Sequence, residues 1–377
     1  MVENPFRYGI VVDDPFFINR EKEIVEISRD LLSGNNLIIT SPRRYGKTSL
    51  VVKIINQLEQ QGFPVIYVDF FRIQDLKQFM NTYASLVLSK GRGIRKSLDI
   101  FQKWIRGIRP AVTIDPSGSP SFTFTHDLNV SVNDSLTDIL NLPLKVISNK
   151  RWIIVFDEFQ DIEKLNGQET EKWFRSVMQF HEQISYVFLG SKTHLIGQMF
   201  AQRNRAFYGF GKLMQISKIP SGQMEKYIVD RMGQTGIECD HMMAREIIGI
   251  ADNIPYFVQF LASETWALPR GNNKAVDHEQ IQLAVLNILN NQQDFFHQMI
   301  DHLSPYQKKV LRALSSELGM VYSQQFMKKY DLGAVSSTQR AVEKLINDGI
   351  IEKDKESISF SNPFFLKYLQ QRMFREP

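Results

Sequence analysis

Cysteine is almost missing from this chain: Cys239 is the only one in 377 residues. That excludes an intramolecular disulfide and any structural zinc site built on several cysteines, and it suits a reducing compartment such as the cytoplasm. Long apolar runs are missing too. No stretch approaches the roughly 18 apolar residues that cross a bilayer, so no membrane partner is expected. The opening residues, Met1-Val2-Glu3-Asn4-Pro5, have neither the basic patch nor the apolar centre of a secretory leader. Charge of one sign is scarce, and a net formal charge of +4 is too mild to indicate a nucleic-acid partner by itself. What remains, 43% hydrophobic and 23% charged residues, is ordinary for globular proteins, and the length suggests two or three domains.

The most informative stretch is Ser41-Pro42-Arg43-Arg44-Tyr45-Gly46-Lys47-Thr48, between an apolar run at 37–40 and an amphipathic run at 49–61. A helix starting near Lys47 aims its unpaired N–H groups and the positive end of its dipole at an anion. The segment from Pro42 to Ser49 thus reads as a phosphate-binding loop: Pro42, Arg43, Arg44, Tyr45 and Gly46 supply the turn, and Lys47, Thr48 and Ser49 open the helix. Lys47 would reach the β- and γ-phosphates, and the Thr48 hydroxyl would sit on a bridging magnesium ion. Ser41 stands where the common pattern has Gly; Ser is small and turn-compatible, so altered backbone geometry is expected and not loss of binding. The competing reading is a chance strand–turn–helix that contains Gly-Lys-Thr.

Upstream, Asn19 can cap a helix over 20–32, with Glu21 and Glu23 favoured in its first turn, whereas the charge of Arg20 opposes the dipole there. Downstream, 65–70 is an apolar run of the kind buried in a parallel sheet, and 75–89 looks helical. Alternating residues at 111–114 and 121–125, around a Pro/Gly/Ser turn, predict a β-hairpin inserted near 110–126, either decoration or a partner surface. At 152–158 four apolar residues lead into Phe156-Asp157-Glu158. Ligands of open α/β sheets bind at the carboxyl ends of strands, so Asp157 would hold a magnesium-bound water and Glu158 would polarise the water attacking the γ-phosphate. A solvated acidic pair is the plain alternative. A further run ends in Gly190-Ser191, where the Ser191 hydroxyl either senses the γ-phosphate or merely makes a turn. Arg203 and Arg205 could supply charge to a phosphate or simply be solvated. With a fifth run at 213–217, the pattern predicts an α/β domain, a parallel three-layer sandwich.

Beyond Pro220 the chain reads as helices at 223–232, 241–251, 254–267 and 278–291, a helical lid over 221–300 in which Pro255 opens the third helix. From 301 to 377 the order is three helices, starting at Ser304, Ser323 and Ser336, and then a hairpin at 350–360. That is the order of a winged helix, whose third helix can enter a DNA groove. From Ser304 onward there are 12 basic and 8 acidic residues, yet the third helix carries Glu343 beside Gln339, Arg340 and Lys344. DNA binding therefore competes with a packing or protein-binding role.

Together these stretches, with Asn-Pro-Phe near the start, Phe17-Ile18-Asn19-Arg20-Glu21-Lys22-Glu23, Phe159-Gln160, Phe207-Tyr208-Gly209 and Asn253-Ile254-Pro255, resemble the archaeal-type ATPase family. That family is AAA-like and is related to the STAND switches and the origin-recognition and Cdc6-type initiators. The resemblance implies a P-loop NTPase domain over 1–220, a lid over 221–300 and a winged helix over 301–377. It also implies ATP/ADP and Mg2+ as cofactors, Arg20 near the nucleotide, and a phosphate contact by the lid at Pro255, where Asn253 replaces the usual Gly. The expectation is an ATP-binding, slowly hydrolysing switch that repositions the winged helix. The alternatives are a DNA-binding regulator in which nucleotide is structural, and a scaffold that has lost turnover and docks a protein partner through the hairpin near Phe122 and Phe124; a homo-oligomer is a further expectation.

Overall fold

In the computed structural model an acidic first turn and an apolar stripe fold Glu21–Leu32 into α1, which begins directly after Arg20. The structure describes residues 2–12, 15–18, 20–91, 108–114, 120–126, 131–146, 149–191, 193–269, 275–318, 321–354 and 357–373; for those of 108–126, and for 193, 194, 354 and 357, it describes the backbone only. The expected cap Asn19 and the side chains of Phe122 and Phe124 lie outside the described residues.

The chain packs as two units, Arg20–Pro42 with Lys47–Ser217, and Met1–Asn19 with Arg43–Gly46 and Lys218–Pro377. In the former, β1 (Leu37–Thr40) leads to α2 (Lys47–Gln60), β2 (Val65–Asp69) and α3 (Leu76–Ser89), the last capped by the Asp75 side chain. The hairpin β3 (Ile108–Ile114) and β4 (Pro120–His126) pairs antiparallel in its own two-stranded sheet, apart from the main one. Then come α4 (Val132–Asn141), β5 (Trp152–Asp157), α5 (Gly167–Met178), β6 (Ile184–Gly190), α6 (Thr193–Ala201) and β7 (Lys212–Gln215). The main sheet has the order β2-β5-β6-β1-β7, every pair parallel. β1, β5 and β6 are buried at every position, as apolar central strands of an α/β sheet must be. Register places Thr40 level with Gly190 and Gln215, and Asp69 level with Asp157, so the strands end together at one edge.

Behind that edge lies an aromatic core. Phe159 sits 4.7 Å from Phe188 and 5.2 Å from Phe207, ring centre to ring centre, and Phe70 is 5.5 Å from Phe156; all five rings are fully buried. These contacts anchor the turn after β5, because each aromatic pair adds about 1 kcal/mol to simple burial.

In the other unit α7 (Ser221–Gln234), α8 (His241–Ile250), α9 (Pro255–Ala267) and α10 (His278–Asn291) follow the expected helices. A fifth, α11 (Gln293–Asp301), escaped sequence reading because only a residue at ψ 6°, Gln292, separates it from α10, with no Gly or Pro at the break. α12 (Pro305–Ser316) opens with a capping box between Ser304 and Gln307. α13 (Gln324–Lys329), α14 (Val335–Asn347), β8 (Ile351–Asp354), β9 (Ser357–Phe360) and α15 (Pro363–Tyr368) complete a winged helix. α14 starts one residue before Ser336, and its Thr338 hydroxyl hydrogen-bonds to Tyr306 instead of capping. One continuous hydrophobic cluster runs from Met224 to Leu369, and Phe364 of α15 lies 5.8 Å from both Phe257 and Phe260 of α9. The helical segment and the winged helix thus share a core.

Candidate nucleotide site

The phosphate loop begins where β1 leaves the sheet. Ser41 is wholly buried, has a negative φ, and donates its hydroxyl to the Pro42 carbonyl at 3.0 Å. A negative φ is open to any residue, so Ser is accommodated where Gly is usual. Positive φ is needed further on, at Arg44 (70°) and Gly46 (84°). The space around a Cβ at Gly46 is empty, so its glycine is required by the backbone alone. α2 then opens with no acid in its first turn, leaving the dipole free for an anion.

Lys47 and Asp157 meet at 2.8 Å, both more than nine-tenths buried. Asp157 Oδ1 also accepts the Glu158 N–H at 2.9 Å, and its Oδ2 accepts the Tyr67 hydroxyl. Burial first, then Asp157, raises the Tyr67 pKa, so the phenol stays protonated and donates. Glu158 takes φ 48°, a left-handed conformation that is uncommon for a residue with a Cβ. Its Oε2 accepts the Ser191 hydroxyl at 2.9 Å and the Gln160 amide. A Cβ at Gly190 would lie 2.1 Å from Ile196 and 2.7 Å from Gln160, so only glycine lets β6 end beside this carboxylate. Asp69, at the end of β2, turns instead to the Phe71 N–H at 3.0 Å and to Arg72 at 3.3 Å, while burial raises its pKa.

Lys47, Asp157, Glu158 and Ser191 are therefore joined by hydrogen bonds. Thr48 is half-buried and Ser49 buried in the first turn of α2. Arg20 is 4% exposed; it pairs with Glu23 at 2.8 Å and donates to the Ser217 carbonyl at 2.9 Å, while the neighbouring Ile216 N–H bonds Thr40. Its buried charge at the helix start is thus held by the strand end next to β1, and burial lowers its pKa. Arg205 is committed elsewhere, to Glu171 and, at 2.7 Å, to Glu163. Arg203 is exposed.

The loop tip, Arg43–Gly46, belongs by packing to the unit that holds the lid and the winged helix. There the Arg44 guanidinium lies 5.0 Å from the Phe257 ring centre and 5.4 Å from that of Tyr256, and it donates to the Ser361 carbonyl at 3.4 Å. The Arg44 carbonyl accepts the Tyr256 N–H at 3.4 Å. Pro255 occupies the first turn of α9, one residue before that donor. Asn253 takes φ 51° and donates to the Ile219 carbonyl at 2.9 Å, filling by its side chain a place where Gly would have none. Glu352 of β8 feels the positive charges of Arg44 and Arg43, although burial dominates and raises its pKa.

Tyr67 and Gln160 were missed as site residues. Tyr67 is the one hydroxyl in the strand 65–69, which is a faint signal; Gln160 stood only as a motif letter. The oxygen donors Thr48 and Asp157 suit a hard cation, and among the described residues no cluster of three His, Cys, Asp or Glu could hold a metal alone. Two such oxygens are what magnesium usually takes from a protein, completing its shell with phosphate and water.

Residues 17–209 match the family described as an ATPase domain predominantly from Archaea, and residues 294–371 match a probable winged helix domain. No curated protein matches the chain. A Walker-type ATPase of Pyrococcus abyssi is similar in structure, with a TM-score of 0.61 and 14% identity over 94% of this chain and 97% of that one. The Aeropyrum pernix ORC2 protein, solved as ADPNP–ADP complexes, gives 0.56 and 13% identity over 97% of each chain. At these identities the likeness is one of fold. Among the described residues no helix is long and apolar enough to cross a membrane.

Proposed function

Because the chain belongs to the family of ATPase domains predominantly from Archaea, we propose that it binds ATP, hydrolyses it slowly, and passes nucleotide state to its winged helix. The observation that carries the coupling is Arg44. This phosphate-loop residue is held by its carbonyl to Tyr256, by its guanidinium to Tyr256 and Phe257, and by a hydrogen bond to Ser361 just past β9. Phosphates gripped by the backbone of the loop shift the loop's own conformation, and a shift at Arg44 alters contacts with α9 and the wing. A ligand moves an equilibrium only through such differential contacts.

In hydrolysis the water oxygen forms a bond to the γ-phosphorus while the bond to the β–γ bridging oxygen breaks, releasing ADP. Glu158 takes the water proton, and Ser191 and Gln160 orient its carboxylate. Lys47 transfers its charge from Asp157 to the phosphates. Thr48 and Asp157 would hold magnesium, which when bound neutralises phosphate charge. Arg20 stabilises the strand end beside the loop, and Pro255 sets the start of α9 for the Arg44 contact.

ATP and ADP affinity with magnesium, followed by phosphate release, tests this in wild type and Lys47→Ala. Lys47→Ala is expected to lose about a hundredfold in affinity and all measurable turnover. A wild type that binds ATP without releasing phosphate reduces the reading to a nucleotide-stabilised scaffold; no binding at all overturns it. DNA binding has weaker support. A winged helix is compatible with it, but on α14 Lys344 is tied to Asp348 at 2.7 Å and Glu343 is exposed beside Arg340.

A further inference from the structure

Asp157 is held by three donors, and they are not equivalent. Lys47 and the Glu158 N–H share Oδ1, whereas Oδ2 accepts the Tyr67 hydroxyl. Tyr67 comes from β2, paired in register with β5, so its phenol reaches along the sheet from opposite Val155 to the carboxylate two residues further on. The one β2 acid, Asp69, which ends level with Asp157, is engaged by the Phe71 N–H and Arg72. When phosphates draw Lys47 away, Asp157 loses its cation and keeps one neutral donor on each oxygen, the Glu158 N–H on Oδ1 and the Tyr67 hydroxyl on Oδ2; without the latter, Oδ2 is unheld and the carboxylate can pivot about χ2.

We propose that Tyr67 is the positioning residue of the metal–nucleotide site: its hydroxyl holds Asp157 in one orientation after Lys47 leaves, so that Oδ1 is presented to magnesium. The inference rests on the ATP reading above. It assigns to a strand residue, outside the usual motifs, the task of preorganising a carboxylate. Phenylalanine would keep the ring and remove only this bond.

The test compares wild type with Tyr67→Phe by ADP affinity in EDTA and in magnesium, by phosphate release against magnesium concentration, and by thermal melting. The expected result is unchanged melting and unchanged affinity in EDTA, with the gain in ADP affinity on adding magnesium reduced by about tenfold. Phosphate release then needs correspondingly more magnesium. An unchanged magnesium gain overturns the proposal. So does an equal loss of affinity with and without magnesium accompanied by lower melting, which marks Tyr67 as merely structural. If wild type binds no nucleotide in either condition, the ATP reading falls and takes this one with it; if wild type binds and Tyr67→Phe matches it, only this one falls.

Discussion

Two ion pairs of the α/β unit are set apart from those of the winged helix by their burial. In the former, Lys47 and Arg205 are nine-tenths buried and meet carboxylates that are themselves shielded, Asp157 and Glu171, the latter only 1% exposed. In the latter, Lys309 meets Asp331 at 2.6 Å, Lys344 meets Asp348 at 2.7 Å and Lys329 meets Glu317, each lysine about half exposed. Exposed pairs are screened by solvent and contribute little, while a buried pair is costly to break because it strands a charge. The contrast shows where the molecule commits charge to chemistry and framework, and where it only neutralises a surface.

Several changes would break or sharpen that contrast, from the largest effect down. Glu158→Gln should retain ATP binding and lower phosphate release by about a thousandfold, since the proposed proton acceptor is gone; unchanged release would remove Glu158 from the proposed mechanism. Arg205→Ala should destabilise the fold by about 3 kcal/mol in chemical denaturation, by stranding Glu171. Burial already raises the Glu171 pKa against the pull of Arg205. A carboxyl whose folded pKa lies above its unfolded value favours the fold at low pH, so this defect should deepen as pH rises. A shallow or pH-independent loss would show that solvent reaches Glu171.

Next comes His181, buried between Tyr186 and Asn141, where burial lowers its pKa from 6.5 to about 4. Between those values the unfolded chain binds a proton that the folded one refuses. Stability therefore falls on acidification through that window, by up to about 3 kcal/mol, and His181→Gln should flatten the slope. Arg44→Ala is expected to leave melting nearly unchanged but to uncouple nucleotide from the winged helix, seen as loss of the ATP–ADP difference in proteolysis of the 350–361 segment. Smallest of all, Lys309→Ala should not measurably move the melting temperature.

Much of this was legible in the chain because the chemistry is local. A strand, a turn with Gly46 and a helix starting at Lys47 are contiguous, and so are the apolar residues that deliver Asp157 and Glu158. Buried central strands announce themselves by unbroken apolar runs, and the first two helices and the hairpin of the winged helix by the caps Ser304 and Ser323 and the turn at Gly349. Arg20 was conspicuous as a charge at the wrong helix end. The α10–α11 break was silent, since an ordinary Gln292 makes it.

Local pattern does not determine which residues from separate strands share an oxygen atom. The sequence by itself determined the family, the α/β class and the polar residues at the phosphate loop and the β5 end, because each follows from spacing along a few residues. Only the tertiary structure decided that Tyr67 serves Asp157, that Gln160 and Ser191 share Glu158, that Arg205 is an internal partner of Glu171, and that Arg44 rests on Tyr256 and Phe257. Apart from the short reach of Gln160 to Glu158, those contacts depend on parallel register and on packing between segments far apart in the chain, which side-chain periodicity does not encode.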